Sequence, residues 1–150
     1  MSEIGNYINK LEALENNLVE KAKKAILDKQ GLILGKAKLR LFNFGVDGDN
    51  SKITPEYRHS TVQIKAGQGQ RTSHVTLRDT GEFYSSMFID TSTNDIFINS
   101  TSEKLGPLIS KYGVAITELT EQEQIFIIDT IIEPFLVKEI NKLGLDIDLF

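Results

Sequence analysis

Between residue 3 and about residue 43 an apolar side chain returns every seven positions, at Ile4, Leu11, Leu18, Ala25, Leu32 and Leu39. Tyr7, Ile8, Leu14, Ala22 and Ile26 widen the stripe, and charged residues fill the opposite side. Such spacing predicts a long amphipathic helix, or two helices broken near Gly31 and Gly35, where each glycine costs about 1 kcal/mol relative to alanine. A helix of this kind is marginal alone and must pack on something. Lys21 and Asp28 fall on the seam, so the stripe reads as core packing in preference to a coiled coil.

Composition narrows the function classes. With 150 residues, 40% hydrophobic and 25% charged, the chain reads as one globular domain, 1–150. It has no cysteine, which removes disulfides, thiolate metal sites and cysteine nucleophiles together. No apolar run reaches the roughly 18 residues of a membrane span, and MSEIGNYINK lacks a signal-peptide core, so no membrane partner and a place in the cytoplasm of whatever cell makes it are expected. A net charge of −4 argues against nucleic acid as the main partner. The lysines from Lys21 to Lys38, with Arg40, follow a helical pattern and read as a solvated face.

Residues 44–74 turn polar and read as a loop region. Asp47-Gly48-Asp49-Asn50-Ser51 is a turn; Lys52 and Arg58 stand where a calcium loop needs Gly and Glu. Ala66 to Ser73 has little to bury and reads as a mobile loop, without the spacing of a phosphate loop. His59 and His74 have no metal-ligand spacing and are expected in solvent.

The middle of the chain, Val75 to Met87, reads as a strand-to-helix corner at Asp79-Thr80-Gly81-Glu82. Asp79 and Glu82 have the spacing of a capping box, and Gly81 relieves the tightest point. The alternative is an aspartic-peptidase Asp-Thr-Gly, with Asp79 sharing a proton across a retroviral-like dimer. Arg78 and Glu82 are polar neighbours for such a carboxylate, and the one Ile-Ile-Gly-Arg-like run, Ile33–Lys36, precedes it.

Residues 75–100 close with a hairpin pattern, Met87–Asp90 and Asp95–Asn99 around Thr91–Asn94. Residues 101–144 read as helices. One ends at Gly113; the last is capped by Thr120 with Glu123, bends at Pro134, and is expected to be the most buried element. The arm 145–150 alternates Leu145, Ile147 and Leu149 with Asp146 and Asp148 before Phe150. Its aliphatics contribute about 1.5–3 kcal/mol each on burial, offset by about 1–2 per ordered residue, so it is marginal without a neighbour. Leu145, Ile147, Leu149 and Phe150 are therefore candidate subunit contacts. No catalytic, cofactor-binding or metal-ligating set is read from the sequence, and no enzyme.

One resemblance goes further. Asp47-Gly48, Thr54-Pro55-Glu56-Tyr57, Ser60-Thr61, Lys65 and Leu77-Arg78-Asp79-Thr80-Gly81-Glu82-Phe83-Tyr84-Ser85-Ser86 follow one another as in the virion-morphogenesis or tail-completion proteins of tailed phages, which this chain resembles. The resemblance implies an α+β fold, a small mostly antiparallel sheet packed with a long N-terminal helix and a C-terminal helix. It implies a non-enzymatic structural subunit of the head–tail connector, in the virion neck. Its partners would be further copies of itself in a cyclic homo-oligomer, twelve-fold or alternatively six-fold, and portal, adaptor or tail proteins. DNA would pass through the lumen without specific binding.

Overall fold

The computed structural model describes residues 3–142 and is α+β, with helix dominant and one two-stranded sheet. Its elements are α1 (Glu3–Asp28), α2 (Gln30–Leu39), α3 (His59–Gly67), α4 (Glu82–Ser85), β1 (Met87–Asp90), β2 (Phe97–Ser100), α5 (Leu105–Tyr112), α6 (Glu121–Ile127) and α7 (Glu133–Asn141). Wide π-type turns follow α2 at Arg40–Phe44 and α6 at Ile128–Ile132, and a 3-10 turn spans Val114–Thr117. The described residues divide into two compact units, residues 3–29 with 125–142, and Gln30–Gln124.

In the first unit, α1 packs against the Ile128–Ile132 turn and α7. Ile26, Ile127 and Ile131 are buried there. Glu139 of α7, its side chain only 8% exposed, accepts from the ammonium groups of Lys142 at 2.9 Å and Lys21 at 3.4 Å. The Lys142 hydrogen bond holds its carboxyl below the usual carboxylate range against the opposing effect of burial. Pro134 explains the wide turn before α7. A proline has no N–H to give and its ring crowds the preceding turn, and the π-type turn makes room while the helix carries on. The last helix is not the most buried element: Ile125 and Ile128 are 47% and 42% exposed, and its buried positions are Thr120, Glu123, Ile127, Ile131 and Glu139.

The chain forms two helices broken near Gly31, one of the two arrangements the sequence allows, with no break at Gly35. The break falls at Lys29, whose N–H donates to the Ile26 carbonyl three residues back. Both glycines sit inside α2, exposed, with open space where a Cβ would be. Gly31→Ala is therefore expected to stabilise the protein by about 0.5–1 kcal/mol, measured by urea denaturation, because only the unfolded chain loses freedom. Among the described residues the seven-residue stripe is not the core. Ile4, Leu32 and Leu39 are 73%, 57% and 53% exposed, and α2 buries Ile33, Leu34 and Ala37 instead.

The core of the second unit joins that face of α2 to Leu41, Ile53, Phe83, Ile89, Ile98 and Ile116. The hairpin pairs Met87 with Ser100 and Ile89 with Ile98 on the buried face, and Phe88 with Asn99 and Asp90 with Phe97 on the other. Gln30 Oε1 accepts the Ile89 N–H at 3.1 Å. Residues 44–74 are not all loop, because α3 lies within them. It buries no residue, which is why no periodicity announces it.

Arg40 ties this unit together. Its guanidinium makes a two-pronged pair with Glu123, Nε to Oε2 and Nη2 to Oε1, both at 3.0 Å, and also donates to the Val46 and Glu118 carbonyls. Glu123 Oε1 accepts the Thr120 N–H at 3.2 Å, and Thr120 Oγ1 accepts the Glu123 N–H at 3.1 Å, so the capping box read at this position is formed. Next to it, Asp47 Oδ1 accepts the N–H groups of Asp49 and Ser51, which closes the 47–51 turn. Gly48 of that turn is buried, and its N–H donates to Ala115 at 2.8 Å.

Candidate functional site

The lead-in to the Asp-Thr-Gly corner is buried at Val75, Thr76 and Leu77 but is not a strand. Two tyrosines hold it. Tyr57 Oη lies 3.1 Å from Thr76 Oγ1 and accepts the Thr76 N–H at 2.8 Å, while the Tyr84 hydroxyl donates to the Thr76 carbonyl. Burial raises the Tyr84 phenol well above its ordinary value, so it serves as a neutral donor. Leu77 takes φ +56, a left-handed conformation uncommon for a side chain of its kind, with that side chain buried. Lys65 Nζ donates to the Arg78 carbonyl at 2.6 Å and Gln70 Nε2 to the Asp79 carbonyl at 3.1 Å, fastening the 65–70 segment to the corner.

The corner itself is built differently from a capping box. Gly81, at φ +89, precedes α4, where the left-handed backbone suits a residue without Cβ. The Glu82 N–H reaches Thr80 Oγ1 at 3.4 Å, not Asp79. The Asp79 carboxylate, 69% exposed, turns outward to Lys104 Nζ at 3.3 Å, which also donates to Thr80 Oγ1. Asp79 thus does not cap α4, whose cap position is Gly81, two residues further on.

Beside the corner lies a feature the sequence reading missed. Arg71 and Arg78 both lie over the Phe42 ring, their guanidinium carbons 5.2 and 5.5 Å from its centroid. Phe42 meets Tyr84 edge-on at 6.1 Å. A groove of about 470 Å³ is lined by Gly35, Lys38, Leu39 and Phe42 on one side and Arg78, Gly81 and Tyr84 on the other. A second recess, about 390 Å³, shares Phe42 and Arg78 and adds Arg71, Gln70 and Asp79. The signal that could have pointed here is the i, i+3, i+4, i+7 set Gly35, Lys38, Leu39 and Phe42 of one helical face.

Comparison of the chain with protein-family models, with curated proteins and with solved structures finds no match. The remaining candidates are placed as follows. His59 is exposed, but His74 is half-buried, contrary to expectation. Its Nε2 lies 2.7 Å from the Phe42 carbonyl and must carry the proton, because a carbonyl only accepts. No group of His, Asp and Glu able to hold a metal ion occurs among the described residues, and no helix among them is long and apolar enough to cross a membrane. Leu145, Ile147, Leu149 and Phe150 lie outside the described residues.

Proposed function

We propose that this chain is a structural, ring-forming subunit of a tailed-phage neck, acting between portal and tail. The observation that carries the reading is apolar surface on helices that a solitary subunit leaves wet. α1, 26 residues and so about 39 Å long, exposes Ile4, Ile8 and Val19. Separately, α2 exposes Leu32 and Leu39, and the turn after it exposes Phe44 at 67%. Single exposed aliphatics are ordinary, but rows of them along helices suit contacts between copies or with neighbours. The order of motifs from Asp47-Gly48 to the Asp-Thr-Gly corner supports the same reading by resemblance.

The Asp79 environment weighs against the peptidase alternative. A catalytic dyad needs a carboxylate in an apolar, water-poor setting where a second carboxylate forces one proton to be shared. Asp79 faces water and an ammonium group. The test is Asp79→Ala, expected to change stability by no more than about 0.5 kcal/mol, since an exposed ion pair contributes little. A phage carrying this gene with that substitution should still produce joined, infectious particles. Acid-pH peptidase activity in the unsubstituted protein that disappears in Asp79→Ala would reverse the assignment.

A further inference from the structure

We infer that the groove beside Phe42 is a docking site for residues 145–150 of a second copy of this chain. The groove has two chemistries side by side. Leu39, Phe42 and Tyr84 supply an apolar wall, with Leu39 left 53% exposed. Lys38 and Arg78 supply positive charge at its rim, and Arg71 stands over the other recess that Phe42 lines. Gly35 and Gly81 leave the two walls open, since a Cβ at Gly35 would meet nothing within 4 Å and one at Gly81 only the Arg78 side chain.

The charge arrangement calls for an anionic occupant. Arg71 and Arg78 share one ring, so their charges are separated by no more than the sum of their two distances to its centre. No carboxylate of the described residues pairs with either guanidinium, and the neighbouring Asp79 is taken by Lys104. Two exposed guanidinium groups on one ring, neither with a carboxylate partner, leave donors that an incoming carboxylate can engage. The chain as a whole carries −4, so this cluster is a local exception in an acidic molecule.

The complement is present in the same sequence. Leu145-Asp146-Ile147-Asp148-Leu149 is the one stretch that alternates aliphatic and acidic residues over more than one repeat. Read as an extended chain it places Asp146 and Asp148 on one side, about 7 Å apart, and the three aliphatics on the other. That two-sided pattern fits a groove with a cationic rim and an apolar wall better than an anion alone or a phosphate backbone, neither of which uses the apolar wall. The inference deepens the ring reading and rests on it for its biological role; the docking itself does not.

The absence of cysteine makes the test direct. One copy carries Leu39→Cys, another Ile147→Cys, and the full-length chains are mixed and mildly oxidised. A disulfide heterodimer is expected, several-fold above the yield from Ile147→Cys mixed with Ser110→Cys, an exposed position on α5. Asp146→Lys with Asp148→Lys should remove that excess, and Lys38→Glu with Arg78→Glu on the other copy should restore it. If Arg78→Glu disturbs the fold by circular dichroism, Lys38→Glu alone supplies the partial restoration. A yield at the control level, indifference to charge reversal, or closure of a doubly substituted chain on itself as a monomer each overturns the inference. So does suppression of cross-linking by an oligonucleotide present during the oxidation but not by a peptide of residues 143–150. Charge-dependent heterodimers from a protein missing from phage necks would leave the docking standing and the ring reading refuted, and a neck ring without them the reverse.

Discussion

Arg40→Ala is expected to destabilise the protein by about 3–5 kcal/mol, a large share of the 5–15 kcal/mol typical of a folded domain. Both partners of the pair are nearly out of water, at 10% exposure for the Arg40 side chain and 9% for Glu123. Truncating the arginine leaves a buried carboxylate facing one backbone N–H and strips a donor each from the Val46 and Glu118 carbonyls. The penalty is therefore mostly that of an uncompensated charge, and does not measure what the pair contributes. Glu123→Gln should cost less, because its carbonyl oxygen can still accept from Thr120 or Arg40. Urea denaturation of the two single variants and the double variant separates these effects. The double variant should fall short of the summed losses by about 0.5–3 kcal/mol, since each change alone strands the other's partner.

The second large effect is at Gly48. A Cβ there would lie 2.6 Å from the Glu118 carbonyl oxygen and 2.7 Å from its carbon, a collision with backbone that cannot swing aside. Gly48→Ala must push the 47–51 turn away from the 115–118 segment and stretch the 2.8 Å bond from its N–H to Ala115. A loss near the upper end of about 1–3 kcal/mol is expected by thermal or urea unfolding. Gly67→Ala is the internal control, because nothing stands within 4 Å of its Cβ position; it should stay within about 0.5 kcal/mol of the parent. Gly48→Ala and Arg40→Ala both act on the Glu118 carbonyl, so their effects should not add.

What could be read from the sequence was what is encoded locally. Thr120 and Glu123 form their capping box because both hydrogen bonds close within one turn. The hairpin, the turn at Asp47 and the helix stop at Gly113, whose N–H donates to Ile109, are equally short-range. Asp79 and Glu82 have the same spacing as Thr120 and Glu123, yet α6 begins directly after Thr120 while α4 begins only at Glu82, behind Gly81 in the cap position. Spacing alone does not separate the two cases, since it does not say where the helix starts.

The seven-residue stripe misled for a geometric reason. A straight helix turns 3.6 residues at a time, so a strict heptad drifts by about 20° per repeat, and the break at Lys29 interrupts it as well. The buried set Ile33, Leu34, Ala37 and Leu41 follows the true period. Arg40 lies on that same face, three residues from Ala37. A cation there implies a buried acidic partner, but its identity, 83 residues away, was not legible. The Phe42 cluster was hidden similarly, because Arg71 and Arg78 reach it from a segment whose composition resembles an ordinary surface loop.

The central claim, a neck-ring subunit, is tested most directly by cryo-electron microscopy of the head–tail junction in a tailed phage that carries this gene. The expected result is a closed ring of copies of this chain between portal and tail, traced by side-chain density for the Asp79–Glu82 corner and the Phe42 cluster. A complete neck map in which every density belongs to other proteins would contradict it.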